Sequence, residues 1–167
     1  MIKGKPLRAA AFVAALAGLA IPTGAHAQLQ SRISGLSDVN YGTINAFVDQ
    51  TNSQNVCVYS SFTLFGFPLV QRPYSVVATG SGAGGAFTIA SGPRTLPYEV
   101  RWADAANQTT GTLLTAGVTA SGFTGSNNSS CGGSENASLI VTITGTSLAS
   151  ASAGSYSGVL SITIVPN

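Results

Sequence analysis

The stretch that most constrains this chain is its last, YSGVLSITIVPN, from Tyr156 to Asn167. Leu160, Ile162 and Ile164 fall on one side of an extended backbone, and Val159, Ser161, Thr163 and Val165 fall on the other. Period-two alternation with β-branched residues is the pattern of a strand with one fully apolar face. No turn and no further strand follow in the sequence. The reading therefore expects a free edge and an apolar face open to a strand from another molecule.

The other end of the chain reads as a targeting signal over residues 1–27. Lys3, Lys5 and Arg8 give a basic start, Ala9 to Ile21 gives a short apolar core, and Ala25-His26-Ala27 ends it as an A-x-A cleavage site. The apolar run is too short and too rich in alanine for a transmembrane anchor, and no later stretch suits one. The expected product is an exported domain, residues 28–167, without stable membrane insertion. Its length suits one domain with a hydrophobic core, and it shows no internal repeat.

Removing the signal reverses the charge. Four arginines (Arg32, Arg72, Arg94 and Arg101) remain against five acids (Asp38, Asp49, Glu99, Asp104 and Glu135), a net of −1 with no lysine and no histidine. A nucleic-acid footprint needs clustered basic residues, so no nucleic-acid partner is expected. Charged residues are only 7 % of the chain, but the positive mean hydropathy of +0.32 argues for a folded, β-rich protein.

Both cysteines, Cys57 and Cys131, lie in the exported part. Export makes a disulfide the default, and one spanning so many residues constrains the unfolded chain by roughly 4 to 5 kcal/mol. A reactive thiol or a metal pair is the weaker reading, because the exported part has no histidine to complete either.

Between these ends the chain is a series of short extended segments. Ile33, Leu36, Val39 and Tyr41 form a first one, kinked near Gly35; Asn55 to Ser61 alternates around Cys57. Tyr74 to Gly80 reads as a strand closed by the turn GSGAGG, with Ala86 to Ser91 as its hairpin return. Leu96 to Ala103 puts Tyr98, Val100 and Trp102 on one face and Glu99 and Arg101 on the other. Thr112 to Gly125 gives two short pieces, Ser126 to Asn136 a loop holding Cys131, and Ala137 to Gly145 a long strand with Leu139, Val141 and Ile143 on one side. Ser147 to Ser155 has room for one helical turn before the final strand. Short strands punctuated by Gly and Ser turns predict an all-β sandwich.

No chemistry emerges from the motifs. Gly80, Gly82 and Gly85 satisfy G-x-G-x-x-G, but a strand rather than a helix follows, so the motif reads as a hairpin turn. Nucleophilic catalysis needs a base beside the Ser or Cys, and the exported part lacks His and Lys. The acids are scattered; Asp38, Asp49, Asp104 and Glu135 sit in or beside turns, where carboxylates commonly serve backbone N–H groups. The expectation is a non-enzyme with no cofactor and no metal.

FTLFGFPLV stands apart. Phe62, Leu64, Phe65, Phe67, Leu69 and Val70 crowd a segment broken by Gly66 and Pro68, which implies a turn with apolar residues at its tip. Two readings fit: a hairpin whose side chains fold back into the core, and an exposed hydrophobic loop that marks an interaction site.

Taken in order, ISGLSDVNYG, VCVYS, YSVVATGSGAGGAFTIASG, LPYEVRWADA and AGSYSGVLSITIVPN resemble the spore coat protein U domain, a family of pilin-like subunits of archaic chaperone-usher pili. The resemblance covers nearly all of residues 28–167. It departs at FTLFGFPLVQRP, where members pass through a shorter polar turn. The resemblance implies an immunoglobulin-like β-sandwich lacking its last strand, completed by a donor strand from a periplasmic chaperone and then from the next pilin subunit. It implies those partners, an outer-membrane usher, and passage through the periplasm to a cell-surface fibre that serves adhesion or biofilm formation. Leu160, Ile162 and Ile164 become the floor of the acceptor groove. The alternatives are a tip adhesin using the loop Phe62, Leu64, Phe65, Phe67 and Leu69, and a self-standing spore coat or matrix protein. Only Leu29 is apolar between Gln28 and Arg32. Either the subunit only accepts, or Leu29 to Val39 is donated and the domain starts later.

Overall fold

The structure is a computed structural model that describes residues 27–44 and 47–167; apart from Ala27, the expected signal segment lies outside the described residues. The described residues form eleven strands and one short α-helix: β1 (Gln28–Ser34), β2 (Gln50–Leu64), β3 (Phe67–Gln71), β4 (Pro73–Gly80), β5 (Thr88–Ser91), β6 (Arg94–Pro97), β7 (Glu99–Ala103), β8 (Thr112–Leu113), β9 (Ala120–Thr124), β10 (Ala137–Ile143), α1 (Gly145–Ala149) and β11 (Leu160–Pro166).

All paired strands run antiparallel. The large sheet has the order β1-β2-β10-β7-β8, with β3 also on β2; the small sheet is β11-β4-β9, and β5-β6 is a separate hairpin. The two larger sheets bury their inner faces against each other as a sandwich. Alternation decides which residues meet there: Val56 and Val58 of β2, Val100 and Trp102 of β7, and Leu139, Val141 and Ile143 of β10 face Tyr74, Val76 and Ala78 of β4 and Phe123 of β9. Trp102 and Tyr74 are both fully buried, and the indole Nε1 donates to the Tyr74 hydroxyl at 2.9 Å, which satisfies the one polar atom the tryptophan brings inside.

The long strands of the sequence reading are present, but one pairing is not. The sequence suggests that Ala86 to Ser91 returns along Tyr74 to Gly80; instead β5 pairs with β6, Thr88 opposite Pro97 and Ser91 opposite Arg94. Both edges of β4 are already taken by β11 and β9. The glycine turn also folds back tightly, the Gly82 N–H bonding to the Ala86 carbonyl at 3.1 Å, and a Cβ on Gly80 would meet that same oxygen at 2.2 Å. The chain therefore leaves β4 sharply and builds a hairpin of its own.

Two of the four carboxylates beside turns, Asp49 and Asp104, hold backbone groups. Asp49 accepts from the Gly145 N–H at 2.7 Å, at the start of α1, whose first turn is capped by Thr144 accepting from the Ser147 N–H. Asp104 accepts from the Thr124 N–H through both oxygens. Partial burial raises the Asp104 carboxyl above its ordinary value, and those hydrogen bonds oppose the shift.

Candidate functional site

β11 keeps the alternation of its sequence. Leu160, Ile162 and Ile164 are half-buried and packed against the core, and Ser161, Thr163 and Val165 are exposed. Its inner neighbour is β4, with Ile162 opposite Ala78 and Leu160 opposite Gly80. The Asn167 N–H donates to the Pro73 carbonyl, so the odd-numbered residues share the ladder with β4 and the N–H and C=O groups of Leu160 and Ile162 point the other way. Among the described residues no strand pairs with that other edge.

β1 approaches the same edge at one end only, where the Ser31 hydroxyl donates to the Ile164 carbonyl at 3.2 Å. Beyond Ser34 the chain leaves β2 at Gly35, in the left-handed region at φ 91°, and continues to Ile44 without entering either sheet. A cleft of about 960 Å³ lies between this segment and β11. Its floor is Leu139, Val141 and Ile143; its walls are Leu36 to Gly42 on one side and Gly154 to Leu160 with Ile162 on the other; Tyr98 and Ile89 lie at the end away from Ser31. The result is a slot, closed where β1 meets β11 and bordered by an unpaired strand edge.

The outer wall is pinned by side chains rather than by a ladder. Gln54 holds both polar groups of the Ser37 backbone, accepting from its N–H at 3.0 Å and donating to its carbonyl at 2.8 Å. The Tyr41 hydroxyl donates to the Val141 carbonyl at 2.8 Å, and burial, with Tyr98 a smaller contributor, raises its pKa far above the ordinary tyrosine value. Val39 and Ile44 pack on the core beside it. The sequence reads this stretch as the end of a first extended segment kinked near Gly35, or as part of a donated Leu29 to Val39. Gly35 and Gly42, both at positive φ, mark where it departs from a strand.

Of the other candidate residues, Cys57 and Cys131 form a disulfide, with Cα atoms 5.8 Å apart, that ties β2 to the loop before β10. Phe62 and Leu64 are half-buried at the end of β2. Phe65 and Phe67 are each 70 % exposed, and Leu69 and Val70 are also exposed along β3. The turn places Phe65 at φ 54° and Gly66 at φ 81°, so the two phenylalanines stand on a hairpin tip clear of the core rather than folding into it. β1, which the sequence left open between donation and its own fold, is paired with β2 over its whole length, Gln28 opposite Thr63 and Ser34 opposite Cys57.

Among the described residues no group of three or more His, Cys, Asp or Glu side chains could hold a metal ion, and no helix is long and apolar enough to cross a membrane.

No family model matches the chain, and no curated protein matches its sequence. Solved structures do match. One chain from a structure of the chaperone–tip adhesin complex of CFA/I fimbriae biogenesis aligns with a TM-score of 0.51 and 16 % sequence identity, over 83 % of this chain and 41 % of that one. The chain thus spans about two fifths of that neighbour. At this identity the likeness is one of fold: an antiparallel β-sandwich.

Proposed function

We propose that this protein is a secreted structural subunit of a surface fibre that receives a strand from a partner in the slot between Leu36–Gly42 and β11. The observation that carries the reading is the edge of Leu160 and Ile162, unpaired among the described residues and bordering an open apolar cleft. An unpaired edge is an aggregation template, and an added strand removes the hazard by completing the ladder and seating alternate side chains on the floor. With β1 committed to its own sheet, the chain accepts a strand rather than donating Leu29 to Val39. The shared fold with a component of a fimbrial chaperone–adhesin complex and the resemblance to spore coat protein U domains support a periplasmic chaperone, an outer-membrane usher and other pilin subunits as partners. Residues 1–27 serve as the export signal and residues 28–167 as the assembled domain. Head-to-tail strand addition does not close, so it builds a fibre.

The test is uptake of a synthetic peptide alternating valine and threonine, with lysine at each end, by purified residues 28–167. A bound strand raises the melting temperature with peptide concentration, and Ile162→Asp, which sets a charge on the slot wall, abolishes the rise. A mature chain that melts cooperatively at the same temperature with and without peptide would overturn the reading in favour of a self-standing coat or matrix protein.

A second reading is favoured by the exposed tip. Phe65, Phe67, Leu69 and Val70 form an apolar surface with no charged residue between Phe62 and Gln71, and such patches mark interaction sites. A fibre-tip adhesin would use it for attachment. The double substitution Phe65→Ser/Phe67→Ser then leaves secretion intact and lowers attachment of producing cells to a hydrophobic surface; unchanged attachment removes this reading.

A further inference from the structure

A second apolar surface lies at the mouth of the slot, on a turn that none of the foregoing uses. Phe47 is 79 % exposed and Val48 55 % exposed. Phe47 sits at φ 75°, a conformation that bulky residues adopt only when the surroundings impose it. The surroundings do so here. The Gly145 backbone packs so closely on the turn that a Cβ would lie 2.8 Å from both the carbonyl carbon and the oxygen of Phe47. The Asp49 carboxylate accepts from the Gly145 N–H at 2.7 Å and pins the other end. A strained turn is thus clasped to the start of α1, and its aromatic ring points into solvent.

Its position gives the turn a meaning. Ile143, the last floor residue, precedes Gly145 by two positions, and Ile44 of the outer wall lies three residues before Phe47. The turn therefore stands at the end of the slot remote from the Ser31–Ile164 closure. Exposed Val159 (65 %) lines the opposite wall towards the same end. A strand lying along β11 passes this point on its way to the rest of its own molecule.

We propose that Phe47 and Val48 form a docking surface for the folded body of the partner whose strand fills the slot, the ring seating in an apolar recess of that body. The proposal rests on the strand-accepting reading above and adds a contact to it. The strand supplies ladder bonds, and the turn fixes how the two bodies sit relative to each other. Continuity selects this occupant: the surface adjoins the slot mouth, so a body tethered to the inserted strand is held against it at high effective concentration.

The experiment places a photo-cross-linker at two positions in the full-length chain made in its producing cells, Ile162→p-benzoylphenylalanine and Phe47→p-benzoylphenylalanine. Both are expected to trap the same partner polypeptide, Ile162 through its strand and Phe47 through residues outside that strand. In parallel, Phe47→Ser should bind the valine–threonine peptide as the unsubstituted chain does but enter assembled fibres roughly tenfold less, the scale of a truncated aromatic anchor. If Ile162 traps a strand while Phe47 traps lipid, nothing or a different protein, the docking surface is wrong and the slot reading stands. Unchanged assembly of Phe47→Ser also overturns it, as does loss of peptide binding, which would make the turn part of the slot. If Ile162 traps no strand, both proposals fall.

Discussion

Replacing Cys57 and Cys131 together by alanine gives a calculable loss. The bridge joins positions 74 apart in sequence, and the loop-closure entropy it removes from the unfolded chain corresponds to about 4.5 kcal/mol at 25 °C. The folded state has little reason to change. The loop before β10 is also held by Asn136, whose side chain accepts from the Val58 N–H at 2.8 Å and donates to the Val58 carbonyl at 3.1 Å. The substitution therefore acts mainly on the unfolded ensemble. Against a total stability on the order of 10 kcal/mol for a domain of this size, it removes close to half. In urea, with a slope of about 2 kcal/mol/M, the midpoint falls by roughly 2 M. The assay is equilibrium unfolding of the oxidised protein and of Cys57→Ala/Cys131→Ala, monitored by Trp102 fluorescence. A midpoint shift below about 0.5 M would refute the argument, and so would loss of amide protection in β10 under native conditions, which would place the effect in the folded state.

Two further outcomes follow from the packing. Tyr41 holds its proton well above the ordinary tyrosine value of 10.0 through burial; the unfolded chain gives that proton up first, so stability is intact below about pH 10 and falls as pH rises beyond it. Tyr41→Phe costs about 1 kcal/mol at neutral pH for the bond to Val141 but makes the alkaline decline shallower, which melts taken across that range measure; an identical slope would count against the burial account. Gly145→Ala forces a Cβ against the Phe47 carbonyl and is expected to cost about 1–3 kcal/mol; a neutral effect in thermal unfolding would show that the Phe47–Asp49 turn is free to move.

The alternation of side chains was legible wherever a strand is buried on one face. Leu139, Val141 and Ile143, the Val100 and Trp102 pair, and Leu160 to Ile164 lie on the faces that their spacing predicts. Alternation names a face and not a neighbour, and the misjudged pairing arose there. Tyr74 to Gly80 and Ala86 to Ser91 are joined by a glycine turn that suits a hairpin, yet the partners of β4 come from residues far along the chain, Leu160 to Pro166 and Ala120 to Thr124. The phenylalanine-rich stretch was ambiguous for a related reason. Apolarity is common to Phe62, which ends half-buried, and to Phe65 and Phe67, which end exposed; only the bulged pairing of β2 with β3 separates them. Phe47 carried no signal at all, because its exposure is set by a clasp to Gly145, distant in sequence.

The open edge of β11 follows from an imbalance between the sheets. The large sheet has six strands, β1-β2-β10-β7-β8 with β3 also on β2, whereas the small sheet has only three, β11, β4 and β9. β5, the strand that sequence placed beside β4, is drawn into a hairpin with β6 and does not widen the small sheet. Leu139, Val141 and Ile143 of β10 line the slot while staying buried, and the chain covers their margin with Leu36 to Ile44, a segment that adds Tyr41 and Val39 but no ladder. Side chains from that segment bury some apolar surface, but among the described residues they leave the N–H and C=O groups of Leu160 and Ile162 without partners. Water can satisfy those groups while the slot is open, and an added β-strand would satisfy them with its own backbone while setting side chains beside the half-buried Leu160 and Ile162.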